Sequence, residues 1–436
     1  MIKKLEVNQN RFYKKIKKNF ILKHKHSELS IFTYLANVDK FGFNKLKNIL
    51  NDKSSIKYIY QYIKNIFSFF YYYQFSIHKG IIKNDNNKLI LTWGKQTDFN
   101  KKGQFSDRFL GIKSNEKEKT LWVIQLDGNF IPKVIPKNII ILKKNNIKKL
   151  YFFYIFKFLK DTKLNLKVLS NLSFNSLYAL IFYDKVNPEI NYKNIRNIIL
   201  PYEGQPFQKY FIKKNKKKNI NIIGYIHTYP QPIPFNLFNH ALCSPNKIVV
   251  NSKSLKKTLI NYFNWKKKYI IIKNSTRFYK DTQVNMTKKI FLPYLINEKK
   301  KLLSSFSDYL KMIHKNSLPI FEIRIHPEKI NDSVHKKFKR ELLKIIENNK
   351  DKFINNKKNK ISIFFGFTSA IIEALERGVK VVQISSEPIL ETYTPLFVNK
   401  IKCKKISQFV YEYDLVKKNS LIKMTNIKHH NTLMLK

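Results

Sequence analysis

Phe321-Glu-Ile-Arg-Ile-His-Pro-Glu-Lys329 and Ile361-Ser-Ile-Phe-Phe-Gly-Phe-Thr-Ser-Ala-Ile-Ile-Glu-Ala-Leu-Glu-Arg-Gly-Val-Lys-Val-Val-Gln-Ile384 are the two stretches that decide the fold of this chain. In the first, an apolar strand delivers Arg324 and His326, Pro327 stops it, and Lys329 stands just beyond. In the second, a strand enters the turn Gly366-Phe-Thr-Ser369 and continues as a helix, with Thr368 or Ser369 placed to cap it and leave backbone N–H groups pointing outward. Glu373, on the first turns of that helix, either holds ribose hydroxyls or complements the helix dipole. Gly378 suits the helix C-cap, and Ser385-Ser386 end the strand that follows. Two strand ends of this kind, side by side at the carboxyl edge of a parallel sheet, predict a nucleotide-phosphate site.

Working outward, strands at Ile290–Tyr294, Ile320–Ile325, Ile361–Phe365 and Val379–Ile384 alternate with helices at Lys299–His314, Ser333–Asn348 and Ser369–Arg377, which is an α/β unit. An earlier α/β unit is predicted from Leu89–Trp93, Leu121–Leu126, Ile139–Leu142, Ile195–Leu200, Ile220–Ile226, Lys247–Ser252 and Tyr269–Lys273. These runs are apolar on both faces, as buried parallel strands are. Ser252 or Ser254 would cap a helix running to Phe263. Residues 1–85 read as helical, with apolar residues at helical spacing over Phe32–Leu50 and Ile56–Phe75. Tyr58–Ile77 is too often interrupted by polar residues to span a membrane; it is a buried helix or an aromatic face against a bilayer.

The chain has 436 residues, 43% of them hydrophobic and 14% aromatic, enough for a core in each of two or three domains and too much for disorder. Its net charge of +55 is spread along the whole length among Asn, Ile, Phe and Tyr, the signature of an AT-rich coding sequence. That charge draws the chain toward an anionic membrane surface. Nucleic acid is not expected as a partner, since basic and aromatic residues do not interleave in a binding pattern. Two cysteines, Cys243 and Cys403, imply no disulfide framework and fit a reducing compartment. The N-terminus lacks a signal-peptide pattern, so a cytoplasmic protein, or one peripheral on the inner face of the membrane, is expected. No metal and no cofactor are expected: Asp-x-Asp strand ends, ligand-spaced cysteines and a Walker loop are all missing from the sequence.

In the earlier unit, Leu200-Pro-Tyr-Glu-Gly-Gln-Pro-Phe207 mounts Glu203 beside Gly204 between two prolines at a strand end. A carboxylate so fixed is a candidate general base; otherwise it caps a helix or pairs with a cation. His227 and Thr228, in Tyr225-Ile-His-Thr-Tyr-Pro-Gln-Pro232, end the next strand and line the acceptor side, or are held by local bonds.

These motifs carry a family resemblance. Over about residues 88–400 the double α/β layout resembles GT-B glycosyltransferases of bacterial surface-polysaccharide assembly. Glu203-Gly204, His326-Pro327 and Thr368-Ser369 are similar in order to the acidic-Gly, His-Pro and Ser-Ser/Thr motifs of bacterial sialyltransferases and polysialyltransferases. Tyr202 stands where those enzymes carry a second acidic residue. The resemblance implies an acceptor-side Rossmann-like domain (86–275) and a nucleotide-sugar-binding Rossmann-like domain (276–405) facing it across a cleft, which the helical, basic segment 1–85 precedes and a tail (406–436) follows. It implies a metal-independent, inverting transferase, hexosyl- or sialyltransferase-like, moving a sugar from a nucleotide-sugar donor to a surface glycan or lipid-linked acceptor. Glu203 would be the base, His326 and Ser369 would hold the donor phosphate, and Arg324, Lys329, Gly366, Thr368, Glu373, Ser385 and Ser386 would complete the donor site. Gly204, His227 and Thr228 would lie on the acceptor side. A non-catalytic basic protein binding membrane or nucleic acid is the alternative.

Overall fold

Apolar runs that alternate between two buried faces account for the first sheet. The computed structural model describes residues 71–115, 118–150, 153, 154, 156, 157, 174–227, 237–275, 278, 285–296, 298–355, 359–366, 368, 370–385, 400–418 and 420–424. The sheet contains β1 (Tyr71–Lys79), β2 (Lys88–Gly94), β3 (Thr120–Leu126), β4 (Ile139–Leu150), β5 (Asn197–Pro201), β6 (Asn221–Tyr225), β7 (Lys247–Val250) and β8 (Ile270–Ile272). Their spatial order is β1-β4-β3-β2-β5-β6-β7-β8, all parallel except β1. Leu89, Leu91, Val123 and Ile140 face one core with α1 (Phe174–Val186), α2 (Pro206–Lys216) and α3 (Lys253–Tyr262). Ile90, Trp122, Ile124 and Ile141 face the opposite one, with Phe105 and Leu110. Ser252 caps α3 through its hydroxyl, accepting from Ser254 and Leu255 N–H.

One segment differs from the sequence reading. Tyr71–Lys79, expected within a helical and aromatic stretch, is a strand paired antiparallel with β4, Phe75 opposite Lys144. The pairing with β4 decides for the strand, and from it the Phe75 ring packs 5.2 Å from that of Tyr178 on α1. Residues 80–85 are turn and loop instead of helix, and residues 1–70 of the expected helical segment lie outside the described residues.

The second sheet is built from β9 (Lys289–Phe291), β11 (Glu322–Arg324), β13 (Ile361–Phe365), β14 (Lys380–Ile384), β15 (Ile401–Lys405) and β16 (Val410–Leu415), in the order β11-β9-β13-β14-β16-β15. A small parallel pair, β10 (Leu318–Pro319) with β12 (Phe353–Ile354), stands apart. On one face, α4 (Lys299–Lys311) and α5 (Ser333–Glu347) bury Phe306, Leu310, Phe338 and Leu342 against Ile363 and Phe365. On the other, α6 (Ala370–Glu376) buries Ile371, Ile372 and Leu375 against Phe364 and Val381. Gly378, at φ +74°, ends α6, and Val379 N–H donates back to Ala374 O at 2.9 Å.

The described part of the stretch expected as a C-terminal tail, residues 406–418 and 420–424, is structural instead. β16 inserts antiparallel between β14 and β15, because Val410, Tyr411 and Tyr413 supply buried side chains there. Beyond it the chain returns to the first sheet: Leu421 and Ile422 N–H donate to Glu376 Oε1 (2.5 and 3.0 Å), Lys423 N–H to Asn251 O (2.8 Å), and Ser275 N–H to Lys423 O (2.7 Å). No helix among the described residues is long and apolar enough to cross a membrane.

The strand orders locate the places where ligands bind. From β2 the chain builds outward through β3 and β4, then returns to β5 on the other side of β2, so β2 and β5 flank a switch point. In the second sheet the same reversal falls between β9 and β13. Crevices at the carboxyl ends of such strands are the binding sites of open parallel sheets.

Candidate functional site

Strand register brings Glu203 and His227 together. Pro201 on β5 pairs with Tyr225 on β6, and Tyr202 N–H donates to Tyr225 O at 2.7 Å, so residues two further along each strand emerge side by side. Glu203 Oε1 lies 3.3 Å from His227 Nε2. His227 is only 2% exposed, whereas the Glu203 side chain is 22% exposed and reaches solvent.

The loop that carries Glu203 is fixed by its own sequence. Gly204 takes φ +66°, turning the chain into α2, and Pro206 opens that helix. Buried Gln208 ties the turn: its Oε1 accepts from Glu203 N–H (3.0 Å) and Gln205 N–H (3.2 Å), and its Nε2 donates to Pro201 O (2.6 Å). Gln205 Nε2 donates to Glu203 Oε2 at 2.7 Å. Tyr202, in contrast, is fully buried, and an added Cβ on Gly224 would come within 2.9 Å of its Cβ. Its side chain belongs to the core.

Glu203 opens onto a cavity of about 560 Å³ at the β2–β5 switch point. Trp93, Arg108, Phe109, Gln125, Lys144 and Tyr178 are among the residues that line it. The rings of Phe109 and Trp93 lie 4.5 and 6.2 Å from that of His227, so the imidazole sits in an aromatic cage. Gln125 Oε1 and the Tyr178 hydroxyl are buried with no hydrogen-bond partner among the described residues. Burial holds the Tyr178 phenol well above its ordinary pKa, so it stays a donor. Aromatic walls with a few unsatisfied polar groups and both signs of charge describe a site for a polar, ring-shaped ligand.

In the second sheet, the His-Pro stretch forms a single 3-10 turn over Pro327–Lys329, in which His326 Nδ1 accepts from Glu328 N–H at 3.3 Å. Tyr294 gathers two of the expected donor residues: its ring lies 5.2 Å from His326 edge-on and 4.7 Å from Lys329 Nζ. Pro293, beside it, packs on Gly366, where φ is +62° and an added Cβ would lie 3.2 Å from Pro293 Cγ. The Pro293 carbonyl is 2.9 Å from His335 Nε2, and His335 Nδ1 is 2.7 Å from Asp332 Oδ2, which pins the loop after β9 to α5. Gln383 Nε2 donates to Gly366 O, and Thr368 Oγ1 accepts from Ala370 N–H, capping α6.

Other expected residues are engaged elsewhere. Arg324 Nε lies 2.6 Å from Glu322 Oε1 on an exposed surface. Glu373 is held by Arg377 at 2.9 Å, one helical turn on. Ser385 is 4% exposed, with its N–H donating to Phe409 O. Ser369, Ser386 and Thr228 lie outside the described residues.

Sequence reasoning missed Trp93, Arg108, Phe109, Gln125 and Lys144. It also missed the ion pair in which Lys95 Nζ, just past β2, meets Glu328 Oε1 at 2.9 Å. That pair joins the carboxyl edge of the first sheet to the His326 turn of the second.

No protein-family model matches this chain, and no curated protein does. Among solved structures it is similar to a glycosyltransferase from Rickettsia africae ESF-5 at 13% identity and a TM-score of 0.31, covering 69% of this chain and 79% of that one. It is also similar to a GtfA/B complex bound to UDP and GlcNAc, at 10% identity and a TM-score of 0.22, covering 49% and 46%. Likenesses this loose leave the reading to the chain's own residues.

Proposed function

We propose that this chain is a GT-B-like glycosyltransferase, transferring a sugar from a nucleotide-sugar donor to a hydroxyl of a glycan or lipid-linked acceptor. The observation that carries this reading is the pairing of two switch-point crevices, one with the Glu203–His227 pair and one with the His326–Lys329 turn, tied by Lys95–Glu328. The acceptor lies in the cavity beside Glu203, stacked on Trp93 and Phe109. Its hydroxyl gives its proton to the Glu203 carboxylate while the oxygen attacks the anomeric carbon and the nucleotide phosphate leaves. A single displacement of this kind inverts the anomeric configuration. His326 and Lys329 supply positive charge to the departing phosphate in place of a metal ion. Gly366 and Thr368 border that side, and the high lysine content draws the protein to an anionic membrane carrying the acceptor.

Thermal melts with a panel of nucleotides and nucleotide sugars test the reading, since a ligand of the folded state alone raises its stability by mass action. A rise in Tm with one nucleotide class, lost on His326→Ala with Lys329→Ala, is expected. No shift with any nucleotide, together with no sugar release from any donor, would overturn it.

A further inference from the structure

At its β1 edge the first sheet runs on as a two-stranded ribbon: β3 pairs with β4 as far as Lys143, whereas β1 stays paired with β4 as far as Leu150. Between the pairs Phe75–Lys144 and Tyr73–Lys148 the register shifts, so Asn145, Asn146 and Ile147 all stand opposite Gln74. The bulge leaves Ile147 67% exposed. Past the ribbon the chain is helical at Phe153, Tyr154, Phe156 and Lys157. Two of these hold it to the protein: Tyr154 packs on the core of the first sheet, and Lys157 Nζ meets both carboxylate oxygens of Asp184 on α1 at 2.6 Å. With that side fixed, Phe153 and Phe156, three residues apart on one helical face, are left 70% and 69% exposed. No other phenylalanine or tryptophan among the described residues is so exposed.

Aromatic rings held outward in this way mark a contact surface. The charge beside them names the partner. Residues 139–157 contain five lysines, four of them on β4 (Lys143, Lys144, Lys148 and Lys149), and no Asp or Glu. Phenylalanine among lysines suits the interface of an anionic bilayer, where rings enter at the acyl boundary and the ammonium heads stay with the lipid phosphates. The cavity agrees with this seat: Tyr72, Phe75, Lys144 and Asn146 of the same ribbon line it, and Ile147 is the next residue along.

We propose that Ile147, Phe153 and Phe156 form the surface by which this chain sits on an anionic lipid bilayer. The rings dip into the boundary between headgroups and acyl chains, the β4 lysines meet the phosphates, and the cavity beside Glu203 is brought to the membrane surface, where a lipid-linked acceptor would enter it. This rests on the membrane-borne acceptor of the reading above and gives it a place on the molecule.

Co-sedimentation of the full chain with vesicles of equal parts phosphatidylcholine and phosphatidylglycerol tests it. Phe153→Ser with Phe156→Ser should weaken binding about tenfold or more, the scale of removing two rings from an apolar environment. The melting temperature should stay unchanged, since both rings are exposed. In Phe156→Trp, the added emission should be quenched by lipids brominated in the upper acyl chain, with the wild type and its three tryptophans as the blank. Absence of vesicle binding by the wild type overturns the proposal, as does binding that the double substitution leaves intact, which would assign attachment to charge alone. A loss of thermal stability in the double variant would show that the chain itself covers the rings, and a dimer that the substitutions dissolve would show a second copy there; either result overturns it as well. Should the double variant fail to fold, quenching in Phe156→Trp decides. Vesicle binding needs neither donor nor acceptor, so its failure is distinguishable from a failure of glycosyl transfer.

Discussion

Lys95 Nζ stands 2.9 Å from Glu328 Oε1, and this one ion pair joins two loops that belong to different sheets. Lys95 follows Trp93, which walls the cavity, and Glu328 lies within the turn capped by His326. Both side chains are about a third to a half exposed, so the pair contributes registration between loops more than stability.

A double-mutant cycle of Lys95→Ala and Glu328→Ala should give a coupling of ~0.2–1 kcal/mol, weakened by salt. The Lys95 hydrogen bond lowers the Glu328 pKa below 4.5, so the coupling is present above that value and lost as pH falls through the folded-state pKa. Denaturant midpoints at neutral and acid pH measure it; equal coupling at both would remove the ionic explanation.

Glu203→Gln retains the size of the side chain and its neighbour Gln205 but cannot take a proton. Turnover should drop ~10²- to 10⁴-fold, with nucleotide binding and Tm nearly unchanged. Rates measured across pH should lose their acidic limb in the variant.

Lys209 on α2 is buried, and burial lowers its pKa from 10.5 to about 8. Between those values the unfolded chain binds more protons than the folded one, so this residue makes stability rise with pH there. At 1.36 kcal/mol per unit the full effect is ~3 kcal/mol. Urea melts at pH 8 and 10 should show the rise in the wild type, and Lys209→Met should flatten it.

Gly224→Ala should cost ~1–3 kcal/mol, because the added methyl would meet Pro245 Cγ at 2.8 Å and the Tyr202 Cβ at 2.9 Å. A denaturation midpoint unchanged by the substitution would show that Tyr202 can move, and with it the Glu203 loop.

Much of the fold was legible because the buried strands of a parallel sheet carry apolar residues on both faces. Leu89–Trp93 and Ile361–Phe365 are examples, and the helices between strands show amphipathic spacing. β1 was not, since Tyr71-Tyr-Tyr-Gln-Phe75 is aromatic at every spacing and only its pairing with β4 decides between helix and strand. β16 was overlooked because Glu412 and Asp414 made its alternation look like a polar tail, though both fall on its less buried side. At the site, Glu203 and His227 were each visible as strand-end residues, but their contact follows from the Pro201–Tyr225 register, which spacing along the chain does not encode. Phe109 sits in an irregular loop with no period to read, and its contact with His227 is purely tertiary.

The return of residues 421–424 to Glu376, Asn251 and Ser275 also sets an order of events during synthesis. A ribosome releases the strands of both sheets before it releases Lys423, so the hydrogen bonds from Lys423 to Asn251 and from Ser275 to Lys423 are the last seam to close. A chain arrested a few residues early would hold every described strand of both sheets and the Lys95–Glu328 pair, yet lack these backbone bonds between the two sheets.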